Sequence, residues 1–329
     1  MAQHTFNSLI PLTSSLSQHL HAHSSAPKCN TAASTLSISD RPYDNYFYSD
    51  CNVAAQAVVT SPLPQSNLTL IGPRLIVAWP AGDSGICAYF TPQNGVNGTL
   101  SIQMVNSTAG QPLSPVYMAG LNSSAPPAVG IQGVLRFNPS AALTLPILGS
   151  IRTIRDFVEG PSILRPEIQD AIQFAAHSDG SASLQRTWLD NVTTTTLTFA
   201  PYSNDTNKVT VSNRILAFPA GDYLFSASIN YPQLTALKPA SVLNSASRNL
   251  TKTDPGQTVA LSFLSYSEKL LAGAWRFLTY FGRDLMISAL LLEPVLSSGG
   301  GSAMEAVIGS VLERVNRTDG SVCHEETIG

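Results

Sequence analysis

From about Cys29 to Arg248, apolar positions come in short runs rich in Val, Ile, Thr and aromatic residues, separated by Gly, Pro, Asn and Asp. Residues 74–79, 86–90, 99–105, 129–137, 193–199, 208–211 and 223–229 are such runs. Many short strands with frequent turns predict antiparallel sheets packed as a sandwich. One helix is expected among them, with Pro166 at its first position and Ile168, Ala171, Ile172 and Ala175 spaced i, i+3, i+4, i+7. Beyond Asn249 the pattern changes. Residues 249–263, with Asp254-Pro255-Gly256 inside, read as a linker. Three helical patterns follow. The first, 265–278, carries Leu270, Leu271, Ala274, Phe277 and Leu278, and the second, 284–293, is apolar almost all round. The third spaces Met304, Val307, Ile308, Val311, Leu312 and Val315 on one face. A helix apolar on every side is expected to be buried on every side, and two neighbours cannot do that. The chain therefore reads as the N-terminal part of a longer protein: a leader over 1–28, a β-sandwich over 29–248, the linker, and the start of a truncated helical domain over 264–329.

An internal echo strengthens the β reading. Ile76-Val77-Ala78-Trp79-Pro80-Ala81-Gly82-Asp83 resembles Ile215-Leu216-Ala217-Phe218-Pro219-Ala220-Gly221-Asp222, an apolar strand followed by a Pro-Ala-Gly-Asp turn in each case. A duplicated half-sandwich and two independent hairpins are both consistent with it.

Charge narrows the class. Asp, Glu, Lys and Arg make up 12% of the 329 residues, and 18 basic against 21 acidic side chains leave no basic field for nucleic acid. The longest apolar run, 285–292, is interrupted by Ser288 and stops at Glu293 and Pro294, too short for a membrane span. A soluble protein is expected. Eight of its 18 asparagines head N-glycosylation sequons, namely Asn67, Asn97, Asn106, Asn122, Asn191, Asn204, Asn249 and Asn316. Chance would give roughly four at this Ser and Thr content, so a secreted glycoprotein is expected. Residues 1–25 lack the basic and apolar regions of a secretory signal, which this reading takes to be missing here. Of the four cysteines, Cys29 and Cys51 are close enough in sequence for a local disulfide, with Cys87 a competing partner and Cys323 far away. His19, His21 and His23 sit in a Ser-rich leader and read as solvated tail rather than a metal site.

The candidate chemistry lies near the C-terminal end. Trp275, Tyr280 or Phe281 offers a flat apolar face to a pyranose ring, Asp284 can accept hydrogen bonds from two sugar hydroxyls, and Arg283 can hold that carboxylate or donate to sugar oxygens. The plainer reading makes Asp284 a helix cap. Ala272-Gly273, Trp275 and Tyr280-Phe281-Gly282-Arg283-Asp284 resemble the AG-x-x-W…GRD signature of the amylo-α-1,6-glucosidase domain of glycogen debranching enzymes, with the tryptophan one position early. The wider group is the six-hairpin glycosidases. The resemblance implies a β-sandwich followed by the first helices of an incomplete (α/α)6 barrel, with Arg283 and Asp284 lining the subsite of the non-reducing sugar. The family usually has Thr or Ser after the aspartate, where this chain has Leu285.

A second cluster runs from Asp319 to Glu326. Glycoside hydrolysis needs a carboxylic acid and a second carboxylate. Glu325 and Glu326 are candidates for one of these, with most of the catalytic pair expected beyond Gly329. Cys323, His324 and Glu325 are adjacent, and adjacent residues rarely converge on one ion, so neither a metal nor another cofactor is expected. The function read from these features is a secreted hydrolase-like protein acting on α-glucans or oligosaccharides, with carbohydrate as its partner. The alternative is a non-catalytic glycoprotein that binds carbohydrate or a protein through the β region.

Overall fold

The structure, a computed structural model, describes residues 26–62, 72–120, 125–160, 163–202 and 207–325. Among the described residues fifteen strands and seven helices form. In chain order the strands begin β1 (Ser34–Asp40), β2 (Tyr43–Ser49), β3 (Ala54–Thr60), β4 (Arg74–Trp79), β5 (Ser84–Pro92), β6 (Ser101–Val105), β7 (Leu113–Met118), β8 (Ala128–Asn138) and β9 (Ala141–Ser150). Helices α1 (Ile151–Glu159) and α2 (Pro166–Asp170) precede β10 (Gln173–Ala176), β11 (Ala182–Thr187), β12 (Thr194–Pro201), β13 (Thr210–Ser212), β14 (Ile215–Phe218) and β15 (Gly221–Ile229). Helices α3 (Pro239–Val242), α4 (Leu250–Thr253), α5 (Pro255–Phe263), α6 (Gly282–Leu292) and α7 (Ala303–Leu312) complete the order.

The strands make two sheets, β1-β2-β3-β4-β5-β9-β14-β13 and β10-β11-β12-β15-β8-β6, with β7 also paired to β8. All the ladders are antiparallel. One large apolar core joins residues of both sheets, including Val77, Trp79, Ile86 and Phe218 from the first and Leu135, Leu197 and Phe225 from the second. At its centre Phe90, Phe137, Phe199, Phe218 and Tyr223 stack edge-on or tilted, with centroids 4.9–6.1 Å apart. The second sheet shows the one-sided pattern of a sheet with a wetter face: Thr198 of β12 stands opposite Ser226 of β15, both partly exposed, while Leu197 and Phe199 point inward. The middle of the first sheet is different. All seven residues of β3 and all six of β4 are buried, so that sheet is covered on both sides.

Its second cover is the stretch expected to be a helix over 265–278. No α-helix forms there. The chain lies across the outer face of the first sheet, where Tyr266, Leu271, Trp275 and Leu278 pack on Ala54, Val58, Ile76, Ala78, Cys87 and Ile147. The apolar spacing that imitates a helix serves a flattened path of short bridges, Ala236 with Tyr266 and Ser265 with Leu270, and a single 3-10 turn at Trp275–Phe277. Two bonds pin the path. Gln56 accepts the Trp275 N–H at 2.8 Å, and Lys269 reaches Asp83 in the β4–β5 turn at 2.9 Å.

The expected organisation is thereby corrected. The chain is mostly antiparallel β in two sheets with short helices of four to eleven residues, not a β-sandwich followed by helices of an (α/α)6 barrel. Residues 249–263, expected as a linker, carry α4 and α5. The helix begun at Pro166 stops at Asp170, and Ala175 already pairs with Ser183 in a ladder. Helix α6 is not buried on every side: Leu285 and Ala289 face inward, while Met286, Ile287, Leu290 and Leu291 are exposed. On α7, Val307 is buried but Ile308 and Leu312 are exposed. No described helix is long and apolar enough to cross a membrane.

The echoed turns diverge. Pro80 to Asp83 joins β4 to β5 within one sheet, with Gly82 and Asp83 at φ 62° and 43°. Pro219 to Asp222 instead carries the chain from the first sheet to the second, and Asp222 forms a two-pronged ion pair with Arg136. Of the cysteines, Cys29 and Cys51 are joined, Cys87 is buried and free, and Cys323 is exposed and free.

Candidate functional site

Helix α6 starts at Gly282, and the Tyr280 side chain lies close against that glycine. A Cβ on Gly282 would lie 2.8 Å from the Tyr280 Cζ, so the glycine of Gly282-Arg283-Asp284 is a close-approach residue. Tyr280 is fully buried, with the Arg314 guanidinium 4.3 Å from its ring centroid. Trp275 is 2% exposed and sits in the packing against the first sheet, with Arg276 4.5 Å over its ring. Neither ring offers a face to solvent. The expectation that Trp275 and Tyr280 stack on a sugar is corrected, because Trp275 is packed on the first sheet and Tyr280 lies among Leu270, Leu285, Ala289 and Val307.

Arg283 and Asp284 are placed differently. Their side chains are 66% and 43% exposed and approach each other at 3.7 Å, a weak surface pair. Asp284 is not the helix cap. Phe281 occupies that position, no side chain makes a capping bond, and Asp284 falls in the first turn, where the helix dipole favours a carboxylate.

The second cluster comes to the same corner. Phe281 pairs with Glu325 in an isolated antiparallel bridge, and Gly282 N–H donates to the His324 carbonyl at 3.0 Å. The loop before it is closed by the Val315–Val322 bridge and by an Asp319 carboxylate accepting from Ser321, which holds Asp319 below the usual carboxylate range. Glu325 thus lies beside Phe281, just ahead of the first turn of α6 that carries Asp284. The Glu325 carboxylate is met by the Arg152 guanidinium. Glu326 lies outside the described residues, as do His19, His21 and His23. Among the described residues no group of three or more His, Cys, Asp or Glu could hold a metal.

Arg152 belongs to α1, a helix that the strand-centred reading of this region missed. Its signal was present: Ser150 caps the helix by accepting from Thr153 N–H, Ile151 and Ile154 are one turn apart, and Arg152 and Asp156 form an i, i+4 ion pair. The next arginine, Arg155, donates to the Arg276 carbonyl at 3.2 Å and lies 5.9 Å from the Phe281 ring. The corner can therefore present two carboxylates as hydroxyl acceptors, with guanidinium donors beside them. That donor and acceptor mix suits a polyol.

Of the sequon asparagines, Asn97, Asn106, Asn191, Asn249 and Asn316 are all exposed, whereas Asn67, Asn122 and Asn204 lie outside the described residues. The molecule is thus an antiparallel two-sheet protein with a charged corner at the start of α6. Compared with known proteins, the chain matches no family model, no curated protein and no solved structure.

Proposed function

We propose that the chain is a secreted, glycoside hydrolase-like protein that holds a sugar residue of an α-glucan or oligosaccharide at the corner formed by Arg283, Asp284 and Glu325. The observation that carries the reading is the bridge between Phe281 and Glu325, which brings Glu325 beside the start of α6, where Arg283 and Asp284 are exposed. The likeness of the 272–284 run to debranching enzymes supports the sugar class. The barrel expected from that likeness is not part of the proposal. Secretion is supported by the exposure of all five described sequon asparagines and by the Cys29–Cys51 disulfide.

In this reading the Asp284 and Glu325 carboxylates accept hydrogen bonds from neighbouring sugar hydroxyls, and Arg283 donates to a ring or hydroxyl oxygen. Calorimetric titration of the chain, made through a secretory pathway, with maltotriose and isomaltotriose tests it. Saturable binding of at least one sugar is expected. Asp284→Asn, which keeps the shape but loses the charge, should weaken binding about tenfold, equivalent to about 1.4 kcal/mol, at an unchanged unfolding midpoint. No binding of either sugar, or equal binding by the variant, would overturn the proposal.

A further inference from the structure

We infer that Arg152, carried by α1 on the β part of the molecule, is a positioning residue that fixes the Glu325 carboxylate for contact with sugar. The inference rests on the sugar-binding reading of the corner.

The geometry points there in three steps. First, α1 is seated firmly. Ile151 and Ile154 press onto the outer face of the first sheet at Gly85, where a Cβ would lie 2.7 Å and 2.9 Å from their Cδ1 atoms. Glycine at that position lets the helix come down onto the sheet. Second, the guanidinium is aimed. Both Asp156 carboxylate oxygens accept from Arg152 Nε, at 3.0 Å and 2.9 Å, so one edge of the fork is held from within the helix. The Nη1 edge is left to meet Glu325. Third, the same helix face fixes the opposite strip, because Arg155 binds the Arg276 carbonyl and lies over the Phe281 ring, and Phe281 is the bridge partner of Glu325. One short helix therefore sets the relative position of both halves of the corner.

Without Arg152 the 323–325 strip keeps its backbone bridge but loses what orients the Glu325 side chain. A glutamate has three rotatable torsions, and a carboxylate that must be ordered by each arriving sugar binds it less well. The partner pair is a third exposed on the arginine side, so its loss should scarcely move global unfolding.

The test uses the full chain labelled with carbon-13 at the glutamate carboxyls, the Glu325 signal being assigned by its disappearance in Glu325→Gln. Maltotriose and isomaltotriose are the probes. In the wild type, whichever sugar binds should shift the Glu325 signal. In Arg152→Ala, affinity should fall about tenfold and the signal shift should shrink, with the unfolding midpoint retained. Arg152→Lys, which keeps a cation but not the two-sided fork, should restore part of the affinity and serves also if the alanine variant folds poorly. If the wild type binds sugar and both variants match it in affinity and in the Glu325 shift, the positioning role is overturned while the sugar site stands. If the wild type binds neither sugar, both readings fall together.

Discussion

Lys269 and Asp83 are 186 positions apart, and theirs is the most buried ion pair among the described residues. Their side chains are only 11% and 12% exposed, and the ammonium also donates to the Leu278 carbonyl at 3.2 Å. Lys269→Met keeps the length of the side chain but leaves the Asp83 carboxylate in the protein without its cation. Losing one member of a buried pair costs about 3–5 kcal/mol, and residual access to water on both sides argues for the lower end, about 3 kcal/mol. The double variant Asp83→Asn/Lys269→Met removes the carboxylate charge too. Asparagine also tolerates the positive φ of 43° at that turn. Its cost should be nearer 1 kcal/mol, which makes the two changes strongly non-additive. Urea unfolding followed by tryptophan fluorescence measures both, with the slope compared so that a change in the denatured state is not mistaken for stability. A single variant within about 0.5 kcal/mol of wild type, or a double variant equal to the sum of the two singles, would refute the reasoning.

Two further outcomes follow from packing and burial. Gly282→Ala should destabilise by about 1–3 kcal/mol in thermal unfolding, because its methyl would press on the Tyr280 ring, which Arg314 covers; an unchanged midpoint would mean that the ring is free to move. Burial pushes the Cys87 thiol up to about 12, with Arg74 opposing the shift less strongly. The folded state thus favours the neutral thiol, so its contribution is complete below the unfolded value, about 8.5, and is lost as pH rises toward 12. Tyr46, also pushed up to about 12 by burial and then by Asp44, acts in the same direction. The urea midpoint should fall from pH 9 to 11, less steeply in Cys87→Ala, and a slope identical in the two proteins would remove Cys87 from the account.

The strands were legible where one face is wet or where turn residues bracket an apolar run, as at β4, β8 and β15. What failed was the reading of residues 265–278. Leu270, Leu271, Ala274, Phe277 and Leu278 fit a helical stripe, but their burial is decided by the already apolar outer face of the first sheet, a partner far away in sequence. The fully buried strands β3 and β4 already carried that information, since a sheet apolar on both sides requires a second cover. At the corner, the residue types of Arg283, Asp284 and Glu325 are legible, whereas the approach of Glu325 to the start of α6 depends on a backbone bridge that no spacing announces. Trp275 and Tyr280 are of the same residue types as a sugar platform and are interior. Residue type alone cannot separate an aromatic platform from an aromatic anchor.

The two-sided burial of the first sheet has a consequence in time. A ribosome delivers the chain from its N-terminus, so Ile76, Cys87 and Ile147 emerge long before Leu271 and Trp275, which will cover them. At usual synthesis rates the delay is on the order of ten seconds, far longer than a hairpin needs to close. Helix α1 follows β9 directly and shields the neighbourhood of Gly85 at once. The rest of that face must wait, an apolar surface held open during the birth of the protein until Tyr266, Leu271, Trp275 and Leu278 arrive.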